Sequence, residues 1–157
     1  MAHQTPKLTN DQKQLIERLG VMFERSGLAP APARVTALLL VSPEVELPFD
    51  DITAMLQLSK SATSNAINQL TTMGKIEYVT RPGERKRYFR SRVKSWKEDM
   101  LKQIQGLGAM SAIFNEVLKG RPKQTVEFNR SLKEVSVFID HLIEELPIVM
   151  AKWDKKA

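Results

Sequence analysis

Apolar residues recur along this chain at helical and strand spacings, and the switches between the two divide it into elements. From Leu8 to Gly27, Leu15, Ile16, Leu19, Met22 and Phe23 fall on one side of a helix. Thr9 and Gln12 open it at capping-box spacing, and Ser26-Gly27 stops it. Leu28-Ala29-Pro30-Ala31-Pro32 forms a stiff connector whose last proline suits a first helical turn. A second helix reaches Val41. Val35, Leu38, Leu39 and Leu40 make it apolar enough to lie inside the fold, and Ser42-Pro43 closes it. Glu44-Val45-Glu46-Leu47 alternates as a brief strand should, and Asp50 stands where it could cap a short helix carrying Ile52, Ala54, Met55 and Leu56.

The stretch from Leu56 to Arg90 has the richest pattern. Ser59 can cap a helix in which Ala62, Ala66, Ile67, Leu70 and Met73 form the buried side. At about 100° per residue, Ser61, Ser64, Asn65, Asn68 and Thr72 then share an outer stripe. Surface helices usually carry Glu and Lys outside; this stripe is uncharged and rich in groups that exchange hydrogen bonds with base edges or phosphates. Gly74 can end the helix, and Ile76, Tyr78 and Val79 suit a strand. Arg81-Pro82-Gly83-Glu84 fits a β-turn, after which Arg85-Lys86-Arg87-Tyr88-Phe89-Arg90 returns as the partner strand. Short helix, turn, polar-faced helix and cation-tipped hairpin follow each other in the order of a winged helix-turn-helix.

Beyond the hairpin, Trp96 begins a long helix running to about Lys119, with Met100, Ile104, Leu107, Phe114 and Leu118 along one side. Gly106 and Gly108 in its middle, each costing about 1 kcal/mol relative to Ala in a helix, suggest close backbone approach, a kink or room for a small ligand, with close packing the default. Gly120-Arg121-Pro122 breaks the chain. In the last helix Phe128, Leu132, Val135, Ile139, Leu142, Leu146, Val149 and Trp153 alternate spacings of four and three, a heptad seam that needs a partner. Pro147 is expected to kink that helix or begin a short terminal turn, and the lysine-rich end WDKKA to fray. A homodimer through the first and the last two helices is the expected use of these apolar faces.

Charge sharpens the picture only once it is mapped. The formal net charge of +6 is modest, but residues 57 to 97 hold ten Lys or Arg against Glu77 and Glu84. The remainder is slightly acidic. A positive field confined to one segment points to an anionic polymer or surface as partner. The absence of cysteine excludes thiol sensing and Cys-ligated zinc, and the polar start together with the lack of any long apolar run predicts a cytoplasmic protein with no membrane contact. His3 and His141 are the only histidines; His141 beside Asp140, Glu144 and Glu145 reads as a solvated helix face. No phosphate loop, nucleophile elbow or paired zinc motif is present, so neither an enzyme nor a cofactor is expected.

SKSATSNAINQL followed by RPGERKRYF resembles the GbsR/MarR group of bacterial transcriptional regulators, in which a similar Ser-Lys-x-x-x-Ser recognition helix precedes a Pro-Gly-Glu-Arg-Lys wing. The likeness is sharpest over residues 50 to 96. Thr53, Gln57 and Thr63 depart from it, standing where a small apolar residue, a glycine and a β-branched apolar residue are common. The expected fold is mainly α with a small β-wing, in one domain spanning 1–157. It comprises an N-terminal helix (8–27), a winged helix-turn-helix core (30–92) and C-terminal dimerisation helices (93–157). The expected function is sequence-specific binding of double-stranded DNA by a homodimer. Ser59, Lys60, Ser61, Ser64, Asn65 and Asn68 would serve from the recognition helix, and Arg81, Arg85, Lys86 and Arg87 from the wing. The alternative is a winged-helix interaction module whose basic face meets an acidic protein. The resemblance also implies control by a small-molecule effector, quaternary amines such as choline being signals for some members.

Overall fold

Thr9 caps the first helix, α1 (Asn10–Arg25): its hydroxyl accepts from the Gln12 backbone while the Gln12 side chain accepts from the Thr9 backbone, at 3.2 and 2.9 Å. The structure, a computed structural model, describes residues 7–155. The polar segment before Lys7, with His3, and the last two residues of the WDKKA end lie outside the described residues. The chain packs as two compact units, one ending at Lys94 and the other beginning at Ser95. The sequence reading treats residues 1–157 as one domain with a change of role at residue 93.

In the first unit α2 (Pro30–Val41) is the central rod. Ala33, Val35, Ala37 and Leu38 are fully enclosed, packed with Ile16, Ile52, Leu70, Ile76 and Phe89 in one core. Leu40, expected inside, is exposed because it lies on the outward side of a helix that is apolar nearly all round. Leu15 and Met22 of α1 are likewise exposed, leaving Ile16, Leu19 and Phe23 to hold that helix on the core.

The expected strand over Glu44–Leu47 shrinks to β1 (Leu47–Pro48), which pairs antiparallel with β3 (Arg87–Ser91) through Leu47 opposite Phe89 and Pro48 opposite Tyr88. Because β1 runs straight into α3 (Phe49–Leu56), Pro48 occupies the cap position. Asp50 is therefore not the cap. It sits in the first turn with Asp51, where both carboxylates meet the positive end of the helix dipole. Gln57 ends α3 in the left-handed conformation at φ 52°, ψ 36°. A side chain there costs about 1–2 kcal/mol, so Gln57→Gly is expected to raise unfolding stability in urea by about 1 kcal/mol, with an unchanged m-value.

Ser59 caps α4 (Lys60–Thr72) by accepting from the Ala62 backbone at 3.1 Å. The buried side of α4 is Thr63, Ala66, Ile67 and Leu70; Met73, expected there, is half exposed past the helix end. Thr53 and Thr63 prove to be partners. The two hydroxyls lie 3.1 Å apart, and Thr63 donates to the Ser59 carbonyl at 3.0 Å, so the buried hydroxyl of Thr63 is satisfied where α3 meets α4. β2 (Ile76–Thr80) completes a three-stranded sheet of order β1-β3-β2. The Arg81–Glu84 turn closes by a 3.1 Å backbone bond with Gly83 at φ 82°, as the Pro-Gly sequence requires.

The second unit is a hairpin of α5 (Trp96–Gly120) and α6 (Val126–Asp154). The single expected heptad seam is two faces. Leu132, Ser136, Ile139, Ile143 and Leu146 are the more enclosed row, whereas Phe128, Val135, Leu142, Val149 and Trp153 are exposed. Within the enclosed row Ser136 meets Ser111 of α5 at 2.8 Å, and Ser111 donates to Asp140 at 2.6 Å. Ile143 lies 3.3 Å from where a Cβ on Gly108 would stand, so close packing holds there; around Gly106 the space is open. Pro147 does not divide α6, which continues as helix to Asp154. No described helix is long and apolar enough to cross a membrane.

Candidate nucleic-acid interface

α4 and the β2–β3 wing border a shared cleft of about 550 Å³. Ser64, Asn68 and Thr71 of α4 line one wall, and Arg85, Lys86 and Arg87 line the other. Phe49, Ile67, Tyr78 and Phe89 form an apolar floor, and Asp50 supplies a carboxylate at one edge. Two surfaces from separate stretches of sequence, residues 64–71 and 85–87, therefore open on the same space. Their closeness follows from the sheet: Tyr78 pairs with Phe89, which fixes β2 and β3 beside the core, and the core holds α4 by Ile67 and Leu70.

The uncharged stripe divides around the axis of α4. Ser64 and Asn68 are the edge that meets the wing, while Ser61, Asn65 and Thr72 continue the face outward, all three exposed. Thr71, three residues after Asn68, lines the cleft instead of Thr72. Ser59 is committed to its cap, with the Ser61 hydroxyl 3.1 Å away. Lys60 stands exposed at the first position of α4, where the helix dipole is positive and a cation is least favoured. An anion at this helix end would offset both positive fields.

The wing arginines fall into two kinds. Arg81 donates to Glu46 at 3.3 Å and lies over the Tyr88 ring at 4.0 Å; Arg90 bridges Glu77 at 2.7 Å and Glu46 at 3.1 Å. These contacts brace β3 against β2 and the segment before β1. The hydrogen bonds to Glu46 and to Glu77 raise the pKa of Arg81 and of Arg90 respectively, holding both charges more firmly. Tyr88 donates to Glu84 at 2.6 Å, which lifts the phenol above the ordinary tyrosine pKa and keeps its proton in that bond at neutral pH. Arg85, Lys86 and Arg87, by contrast, are exposed and form no ion pair with any described residue. Arg81, one of the four wing candidates, is thus placed outside the cleft and bonded within the wing; the other three converge on it.

Sequence reasoning passed over Thr71, Asp50 and Tyr78 as cleft residues. The spacing of Thr71 from Ser64 and Asn68 carried the signal; nothing local to Asp50 or Tyr78 did. Among the described residues no group of three or more His, Cys, Asp or Glu side chains could hold a metal ion.

No family model matches the chain, and no curated protein matches it. Solved structures do. A crystal structure of a transcriptional regulator matches over 92% of this chain and 99% of its own, at TM-score 0.74 and 20% identity. A mutant of S. aureus MepR matches at TM-score 0.41 and 15% identity, over 89% and 99% of the two chains. A MarR protein from Peptoclostridium difficile matches at 0.40 and 13%, over 100% and 99%. At 20% identity the first likeness is one of fold, and it agrees with the architecture built above: this chain is a winged-helix protein, mainly helical with a three-stranded antiparallel sheet, folded as a solved transcriptional regulator is folded.

Proposed function

We propose that this chain is a sequence-specific DNA-binding regulator of transcription of the GbsR/MarR kind, acting as a homodimer under the control of a small-molecule effector. The observation that carries the reading is the cleft in which Ser64 and Asn68 face Arg85, Lys86 and Arg87. A duplex laid across it would receive amide and hydroxyl groups in the major groove and unpaired cations on the adjoining phosphates. Phosphate contacts position a protein and base contacts specify, so the two walls divide the work. Successive recognition helices of a dimer would then enter grooves about one turn apart, roughly 10 base pairs.

Selection of bound fragments from random duplex, followed by competition gel shift, tests the proposal. Tight binding to a selected site in the presence of excess random DNA is expected. Asn65→Ala and Asn68→Ala should each reduce preference for that site by about 10- to 100-fold while leaving random-sequence affinity nearly unchanged, because a two-pronged amide–adenine pair discriminates by about 1–3 kcal/mol. Equal loss on every sequence would move these residues into the positioning class. Failure to retain any duplex against an acidic polypeptide competitor would replace DNA with an acidic protein as the partner.

A further inference from the structure

A second gathering of positive charge lies at the turn between α5 and α6. There a groove of about 750 Å³ is lined by Lys119 of α5, Lys123 of the turn, and Arg130 and Lys133 of α6. Every charged residue lining it is a cation, and none of the four forms an ion pair with a described residue. Such a cluster repels itself and is not explained by the packing of the hairpin. Its walls are nevertheless fixed. Arg121 donates to Asn129 at 2.9 Å and lies over the Phe128 ring at 4.1 Å; Asn129 in turn donates to the Pro122 carbonyl at 3.0 Å, which ties the turn to α6. On the inner side Asn115 is held by its bond to the buried Ser136 hydroxyl at 2.8 Å. Between the cations, Leu118 and Val126 offer apolar surface.

The volume falls in the range of small-molecule sites, about 300–1,000 Å³. A monocarboxylate would bring one charge to four cations. A phosphate monoester brings about −1.5 to −2 and three acceptor oxygens, which matches the set better. We propose that this groove binds a small organic phosphate, its head held by Lys119, Lys123, Arg130 and Lys133 and its apolar portion resting on Leu118 and Val126. The proposal goes beyond the DNA reading and does not depend on it.

Calorimetric titration of the full chain with phenyl phosphate, inorganic phosphate and benzoate tests it. Phenyl phosphate is expected to saturate one site per chain, with inorganic phosphate and benzoate each weaker by at least about tenfold. Arg130→Gln with Lys133→Gln should weaken phenyl phosphate by at least about tenfold with the thermal transition retained, and the charge-preserving Lys133→Arg should keep most of the affinity. Arg85→Gln with Lys86→Gln should leave it unchanged. The proposal is overturned by the absence of saturable heat at millimolar phenyl phosphate, by benzoate binding equally well, or by loss of binding in the wing variant, which would assign the phosphate to the DNA cleft. Each of these outcomes is separate from the gel-shift result.

Discussion

Replacing Arg85, Lys86 and Arg87 together by alanine is expected to weaken binding to any duplex by about a thousandfold or more near 0.1 M salt, and to flatten its salt dependence. Three unpaired cations on each wing of a dimer give six phosphate contacts, and at about 0.9 counterion per contact the log-log slope of affinity against salt should be near −5 in the parent protein. In the triple variant it should be much shallower. The effect is large because these side chains form no ion pair with a described residue, so their removal strands no described carboxylate. Arg81→Ala provides the contrast. Its guanidinium is bonded to Glu46 and stacked on Tyr88, so its loss should loosen the wing, lowering stability, while changing the slope little. Fluorescence anisotropy across a salt series measures both. A parent slope near zero, or a triple variant that keeps the parent slope, would remove Arg85, Lys86 and Arg87 from the contact set.

That contrast among the wing arginines also marks where sequence reasoning stops. Ser59, the Ala66–Ile67–Leu70 row and the Pro82-Gly83 turn were legible because each is governed by neighbours within four residues: a cap by the third residue on, a helix face by its period, a turn by φ. The fate of Arg81 depends on Glu46, 35 residues away, and no local pattern distinguishes it from Arg85. Asp50 lost its cap for a similar reason, since the pairing of Pro48 with Tyr88 decides where α3 begins. The stripe on α4 can be drawn from the 100° rule, yet that rule does not say which edge of the stripe meets the wing: it includes Thr72, whereas Thr71 lines the cleft. In α6 an apolar alphabet skipped Ser136. Its hydroxyl is acceptable inside the hairpin only because Ser111 and Asn115 supply partners from α5, a fact that spacing within α6 cannot carry.

The same oversight conceals the face on which assembly is expected to depend. Once Leu132, Ser136, Ile139, Ile143 and Leu146 are assigned to the hairpin, Phe128, Val135, Leu142 and Val149 remain at intervals of seven, between 39% and 55% exposed, a strip open to solvent along most of its length with Arg121 over the Phe128 ring at one end. Leu15 and Met22 leave a second exposed strip on α1. Apolar strips at heptad spacing are the pattern by which helices of two copies associate, and leaving them in water forfeits about 25 cal/mol for each Å² that could be covered. Val135→Glu with Leu142→Glu would place two carboxylates in that contact without partners, a cost of several kcal/mol. The double variant is therefore expected to sediment as a monomer at micromolar concentration where the parent sediments as a dimer. Its affinity for a two-half-site operator should fall by about 100-fold or more, because the second half-site is no longer tethered to the first. Val137→Glu, also exposed but on the far side of α6, should change neither property. A parent protein that is already monomeric, or a double variant that remains dimeric, would mean that two copies do not meet through this strip, and the half-site spacing proposed above would lose its basis.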